Sequence, residues 1–243
     1  MPIRRQFQLD ADKIVDTAEI LARRIHERFP GAGLSALCKE LVEISRQARQ
    51  EAKRIARPIG WVRTLSYLVI AAIIATLVYS SVLIVIDLGE AGVDLRGPEI
   101  VQLAEAGLND LILVGAAIFF FVTLETRLKR RRALGALHEL RSIAHVVDMH
   151  QLTKDPERMR ITGPDTKSSP KRTMTPFELS RYLDYCGEML SITGKLAALY
   201  AQDFADTQVV TAVNDIENLT SGLSRKIFQK LTILYDREEG RLK

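Results

Sequence analysis

Three of the four histidines in this chain lie within residues 137–150, close to two acidic side chains. The residues that could bind a metal or transfer a proton are His138, His145 and Asp148. Imidazole nitrogens and carboxylate oxygens are zinc ligands and partners in proton transfer. On a helix, His145 and Asp148 are three residues apart and lie close enough to share one ion or one proton. His138 lies about 10 Å further along the axis, too far to hold the same ion.

Three interpretations of this stretch stay open. It is a polar helix face that is solvated or hydrogen-bonded, a divalent-metal site, or a pH- or ligand-sensing switch. A metal site would need further ligands from another helix or subunit, because zinc takes three or four protein ligands. The HExxH pattern is absent, since Glu139 follows His138 but the next histidine comes too late. We therefore expect no cofactor, unless a divalent metal binds here.

Patterns of known catalytic sites are otherwise missing from the sequence. There is no GxSxG, no glycine-rich phosphate loop and no CxxC. We expect a protein without enzymatic activity. The two cysteines, Cys38 and Cys186, fall on or beside apolar helical stripes, which predicts reduced thiols that pack as small hydrophobic side chains.

The elements that position the histidine stretch begin with the most apolar part of the chain. From Thr64 to Ile86, 23 residues pass without a charged side chain. A helix of that length covers about 35 Å, more than the roughly 30 Å hydrocarbon core of a bilayer. A buried helix of a large soluble core is the alternative, but such helices seldom stay uncharged for so long. The pattern predicts a transmembrane helix.

A second apolar run, Leu111 to Leu124, is uncharged for 14 residues between Asp110 and Glu125. That length alone is short for a span. Either the two acidic residues lie in the headgroup regions of a thinned bilayer, or the helix begins near Pro98 and carries Asp110 some way into the membrane. We expect a second span, because it returns the chain to the side of the membrane on which the first basic flank lies.

Charged residues divide unequally around these two runs. The connecting loop, residues 87–110, contains six acidic residues and one basic residue, Arg96, whereas both outer flanks are basic. Because cytoplasmic flanks of membrane helices collect Lys and Arg, we expect a multi-pass inner-membrane protein with both termini in the cytoplasm. The basic residues expected to meet anionic lipid are Arg54, Arg57, Arg63, Lys129, Arg130, Arg131 and Arg132. No nucleic-acid-binding motif accompanies the net charge of +4.

Cap signals and apolar periodicity predict the remaining helices. Asp10 caps a first helix that ends at Pro30-Gly31, and a second helix starts near Ser35. Thr175-Pro176-Phe177-Glu178 is a capping box with proline at the first helical position, and a last helix starts around Asp206. The predicted parts are an N-terminal helical hairpin (1–60), a transmembrane hairpin (61–128), a cytoplasmic extension of its second helix (129–152), a basic flexible linker (153–174) and a C-terminal helical hairpin (175–243).

The extension has two different faces at 100° per residue. One face carries an apolar stripe and the other carries the polar residues. The apolar stripe comprises Leu137, Leu140, Ile143, Ala144 and Val147, and the opposite face comprises His138, Ser142, His145 and Met149. We expect the apolar stripe to pack and the histidines to point away from it.

The sequence as a whole predicts an all-α protein, a two-span transmembrane hairpin that displays a cytoplasmic amphipathic helical bundle. We expect a scaffold or signalling module that self-associates and can bind a cytoplasmic protein. The alternative is an oligomeric ion channel or pore, with Asp110 and Asp87 as an acidic ring at its outer mouth. In outline only, this arrangement resembles the two-span effector modules of bacterial defence systems, which implies membrane perforation; no motif carries the resemblance.

Overall fold

The computed structural model describes residues 8–91, 97–156, 166–169 and 173–238. Within these ranges the chain is helical and contains no strand, which confirms the all-α prediction. The helices are α1 (Ala11–Arg28), α2 (Gly33–Ala56), α3 (Gly60–Ala91), α4 (Gly97–Leu152), α5 (Pro176–Gln202) and α6 (Thr207–Glu238). The predicted linker 153–174 lies partly outside the described residues.

The helices begin where the cap signals predicted. The Asp10 carboxylate accepts hydrogen bonds from the backbone N–H groups of the second and third residues after it, at 3.0 and 3.4 Å. Thr175 and Glu178 form the reciprocal capping box, with bonds of 3.2 and 2.7 Å between each side chain and the other's backbone N–H. Gly31 has a positive φ of 76° in the turn after α1, a conformation that glycine adopts without strain.

The chain divides into two compact units, one of residues 1–56 and 130–243 and the other of residues 57–129. We call the first the helical unit and the second the apolar unit. The boundary lies inside α4, which contributes its residues up to Lys129 to the apolar unit and those from Arg130 onwards to the helical unit.

The helical unit has one shared hydrophobic core. Buried apolar side chains from α1, α2, the second half of α4, α5 and α6 belong to a single cluster. Helix α5 is central, since it packs against α1, α2 and α6 and buries Leu183, Leu190 and Leu196 completely. Each fully buried leucine of this kind contributes roughly 1.5–3 kcal/mol to folding. The predicted apolar stripes of these helices therefore meet one another.

The apolar unit shows the opposite distribution. The chain has two helices that are long and apolar enough to cross a membrane, by length and composition, and they include the predicted spans on α3 and α4. Only 6% and 0% of their most apolar 18-residue windows are buried inside the protein. A core helix of a soluble domain would be mostly buried, so the alternative of a soluble core is not supported. Leu68 and Phe119 illustrate the exposure, each at 64%.

Helix α4 starts well before its apolar run. It begins at Gly97, with Pro98 in its first turn, and continues without interruption to Leu152. The helix start near Pro98 is therefore observed, while the position of Asp110 relative to a bilayer stays a prediction. At about 1.5 Å per residue, its 56 residues extend about 84 Å.

Two polar contacts join α3 and its preceding turn to α4 within the apolar unit. The backbone N–H of Ile59 donates to Glu125 Oε1 at 3.1 Å, and Ser66 Oγ donates to the Phe121 carbonyl at 3.3 Å. As the residue number of the donor rises, the residue number of the acceptor falls, as it does between neighbouring antiparallel helices. The start of α3 therefore lies beside the Phe121–Glu125 segment of α4.

Candidate functional site

The histidine stretch lies on the part of α4 that belongs to the helical unit. The apolar stripe from Leu137 to Val147 is buried, with each of its five members at most 5% exposed. The residues on the opposite face are exposed to solvent, including His138, His145 and Met149. The predicted division of this helix into a packed face and a histidine face is therefore observed.

A single chain supplies only part of the predicted metal site at His145 and Asp148. His145 is exposed, whereas Asp148 is half-buried and its Oδ1 accepts a hydrogen bond of 2.5 Å from Gln151 Nε2. Over the described ranges, no group of three or more His, Cys, Asp or Glu side chains is placed to hold a metal ion. His138 is also exposed, one heptad before His145. A metal at His145 and Asp148 stays a prediction that needs ligands from a second molecule.

A buried polar network next to Asp148 was not foreseen from the sequence. Gln151 is 2% exposed, and Lys230 Nζ of α6 donates both to its backbone carbonyl, at 2.8 Å, and to its Oε1, at 2.7 Å. Burial lowers the pKa of Lys230, and the nearby Asp155 and Asp148 carboxylates oppose this change. The lysine satisfies a carbonyl at the C-terminal end of α4, where the helix carries partial negative charge. Through Gln151, the same contact fixes the orientation of Asp148.

His150 does not share the exposed face of His138 and His145; it is partly buried. Its Nδ1 lies 3.4 Å from the Tyr182 hydroxyl, and its ring lies against Gly33 at the start of α2. A Cβ at position 33 would lie 2.7 Å from His150 Cε1. Burial raises the pKa of Tyr182 well above its usual range. His150 is thus a packing residue between α2, α4 and α5.

A second unforeseen contact joins α4 to the start of α6. Arg130 donates to both carboxylate oxygens of Asp206, at 2.7–3.0 Å, and the side chain of Asp206 is only 6% exposed. The same carboxylate caps α6 by accepting the backbone N–H groups of Gln208 and Val209, at 3.1 and 3.3 Å. The hydrogen bonds from Arg130 are the largest cause of a lowered Asp206 pKa. The Asp206 carboxylate therefore caps α6 and pairs with Arg130 at the same time.

The seven basic residues expected at the membrane surface fall into two groups. Some form ion pairs within their own unit: Arg54 with Glu51 at 2.8 Å, Lys129 with Glu125 at 3.1 Å, and Arg130 with Asp206. The others are exposed: Arg57, Arg63, Arg131 and Arg132. These four are the better candidates for contact with anionic lipid headgroups, because their charge is presented to the surroundings.

The two acidic residues proposed for a pore mouth are only partly described. Asp110 lies in α4 and is exposed. Asp87 lies in α3, and its side chain is outside the described part of the structure. The acidic ring stays a prediction, since it requires several copies of the chain.

Both cysteines are buried inside the helical unit, as expected. Cys38 and Cys186 are free thiols with no exposed surface. Burial raises the pKa of each thiol to about 12. Because the thiolate is the reactive form of cysteine, neither side chain reacts readily at neutral pH.

An open cleft of about 800 Å³ between α1 and α5 was also missed. Three arginines line it, but each already has a partner. Arg24 pairs with Glu188 and Arg181 pairs with Asp184, both within 3 Å, while Arg28 lies over the Phe177 ring at 5.2 Å. The positive charge of this cleft is therefore largely compensated, which argues against a dedicated anion site.

Comparison with protein-family models, curated proteins and solved structures finds no match for this chain.

Proposed function

We propose that this chain is an integral membrane protein that anchors a helical signalling or scaffold module at the cytoplasmic face of a bacterial inner membrane. The observation that carries the proposal is the exposure of the apolar side chains of α3 and the first half of α4, in contrast to the helical unit, whose helices share a buried hydrophobic core. Exposed apolar surface costs about 25 cal/mol per Å² in water. Lipid removes that cost, because its hydrocarbon tails solvate the same side chains.

Hydrogen bonding along α3 also suits a lipid environment. Thr76 Oγ1 donates to the Ala72 carbonyl at 2.9 Å, and Ser80 and Ser81 both donate to the Leu77 carbonyl, at 3.0 and 2.8 Å. A helix satisfies its backbone groups internally, and these hydroxyls find acceptors on the same helix. These three hydroxyls therefore need no water as a hydrogen-bond partner.

Charge distribution supports the orientation that we propose. Arg57 and Arg63 precede or begin the first span, and Arg131 and Arg132 follow the second; all four are exposed. The loop between the spans is acidic. Positive flanks are retained in the cytoplasm, so both termini and the helical unit lie inside the cell, with anionic lipid against the basic flanks.

In this proposal, the helical unit is the part of the chain that binds other proteins. Its core is built from five helical segments, so its outer surfaces are free for contacts with a cytoplasmic partner or a second copy. In this proposal the apolar unit supplies location and the helical unit supplies recognition, without a chemical reaction.

The test combines membrane extraction with topology reporters on the full chain. Carbonate washing should leave the protein in the membrane fraction, and a reporter that is active only in the cytoplasm should work at both termini. The matched control places the same reporter in the acidic loop, where it should be inactive. Extraction by carbonate, or termini on opposite sides, would contradict the proposal.

A further inference from the structure

The chain contains a single tryptophan, and its side chain is largely exposed. Trp61 lies in the first turn of α3 and is 70% exposed. Leu65 and Leu68 follow it at intervals of four and three residues on the same helix face, and they are 47% and 64% exposed. Val62 and Ser66, on another face, are 1% and 7% exposed. Trp61 is therefore the first residue of the outward apolar face of α3.

The level of Trp61 is also the level at which apolar sequence gives way to basic sequence. The start of α3 lies beside the Phe121–Glu125 segment of α4. From this level, the uncharged runs of both helices extend in one direction. In the other direction, Arg57 precedes Trp61 by four residues and Arg127 follows Glu125 by two. Arg63 lies two residues into the helix from Trp61, and a side chain of its length can extend back towards the basic residues.

Arg57 and Arg127 present their positive charge to the surroundings. Both are exposed, and Arg127 lies over the Phe120 ring at 5.7 Å. Within the described ranges, neither guanidinium pairs with a carboxylate. The carboxylate at this level, Glu125, is already paired with Lys129 at 3.1 Å, so it does not cancel these charges.

We propose that Trp61, Arg57 and Arg127 form a binding surface for the headgroups of anionic phospholipids in the cytoplasmic leaflet. This inference rests on the proposed function, because it requires α3 to lie in lipid. An indole ring combines a large apolar body with one N–H donor, so it lies where hydrocarbon meets headgroups. Guanidinium groups on the polar side of that boundary donate to lipid phosphates. Trp61 then sets the depth of the first span, and the two arginines select anionic lipid.

Trp61 fluorescence tests the depth, because the chain has no other tryptophan. The full chain is placed in phosphatidylcholine vesicles that contain lipid brominated either near the headgroup or near the end of the acyl chain. Bromine near the headgroup should quench Trp61 roughly two-fold more than bromine near the chain end. The control variant Trp61→Phe/Leu68→Trp moves the probe about 10 Å along the same face and should reverse the order.

The same signal measures lipid selectivity. Vesicles of one composition contain a small fraction of brominated lipid, which is either phosphatidylglycerol or phosphatidylcholine. Quenching of Trp61 should show that anionic lipid is enriched roughly three-fold beside it. Arg57→Gln with Arg127→Gln should remove the enrichment. Arg23→Gln with Arg141→Gln, two exposed arginines of the helical unit, is the matched control that loses the same charge and should keep the enrichment.

The outcomes separate this inference from the proposed function. Protein that stays in the vesicles but is quenched more by deep bromine, or equally by the two lipid classes, overturns the inference and leaves the proposed function intact. Equal loss of enrichment in the control variant shows a general charge effect and overturns it as well. Enrichment that disappears when inorganic phosphate replaces chloride at equal ionic strength shows a free-phosphate site and overturns the lipid partner. Protein that does not stay with the vesicles overturns the proposed function itself.

Discussion

Leu137 and Leu113 are the same residue type on the same helix, yet one is buried and the other is exposed. Leu137, in the helical unit, is 1% exposed, whereas Leu113, in the apolar unit, is 60% exposed. The sequence around Leu137 mixes apolar and charged residues, while Leu113 belongs to a run of 14 uncharged residues, 111–124. One unbroken helix therefore packs into a protein core at one end and exposes apolar side chains at the other, where we propose that lipid covers them.

The largest effect should come from truncating the buried leucine. Leu137→Ala removes core contacts and leaves a cavity, which should lower the free energy of unfolding of the helical unit by about 2–5 kcal/mol. Leu113→Ala is the matched control and should cost less than about 1 kcal/mol, since it leaves no cavity inside the protein. Thermal unfolding in detergent, followed by circular dichroism, measures both. Equal losses for the two variants would remove the contrast between the units.

A charge on the lipid-facing side sharpens the comparison. Phe119 is 64% exposed and lies near the middle of the uncharged run 111–124. Phe119→Arg should disfavour membrane insertion by about 3 kcal/mol, because arginine near the centre of a span is costly. Gln47→Arg, at an exposed position of α2, should leave insertion unchanged. The membrane-bound fraction after carbonate washing measures both variants. If Phe119→Arg inserts as well as the native chain, that face does not meet lipid.

The ion pair inside the helical unit should contribute a smaller, pH-dependent amount. Asp206→Asn keeps an N-cap side chain but loses the charge that Arg130 binds, so we expect a loss of about 1–2 kcal/mol at neutral pH. The Asp206 pKa is lowered in the folded chain, so its contribution is complete above the ordinary carboxylate pKa near 4 and disappears as the pH falls below it.

Denaturation curves of the native chain and Asp206→Asn at several pH values check this sign. The difference between them should be constant near pH 7 and shrink below about pH 4. A difference that grows towards acid pH would show that the carboxylate is not stabilised by Arg130.

The smallest effect is expected at the proposed pore mouth. If the apolar unit only anchors the protein, purified chain in liposomes should pass no ions, and Asp110→Asn should change nothing. Fluorescent ion-flux assays and the mass of the detergent-solubilised particle measure this. Ion flux that changes on Asp110→Asn, together with a closed ring of subunits, would favour the channel instead.

The helix boundaries followed from local signals in the sequence. A cap acts on backbone groups within three residues, so Asp10 and Thr175 determine their helix starts without help from the rest of the chain. Apolar periodicity likewise acts along one helix, which is why the buried and exposed faces of α4 could be predicted.

Contacts between distant residues did not follow from such signals. Arg130 and Asp206 are 76 positions apart, and Gln151 and Lys230 are 79 apart. Arg130 was expected to face lipid because it lies in a basic run, and the run alone does not show that a carboxylate of α6 binds it. Periodicity identifies which face is buried, whereas the choice of partner depends on how whole helices pack.

The close approach of His150 to Gly33 leaves room for a hydrogen atom, but not for a Cβ, on the Cα of residue 33 in α2. A methyl group in its place would lie 2.7 Å from His150 Cε1, so the imidazole ring would have to shift. Alanine, the most favourable residue in most helices, is therefore a poor substitute at this one position.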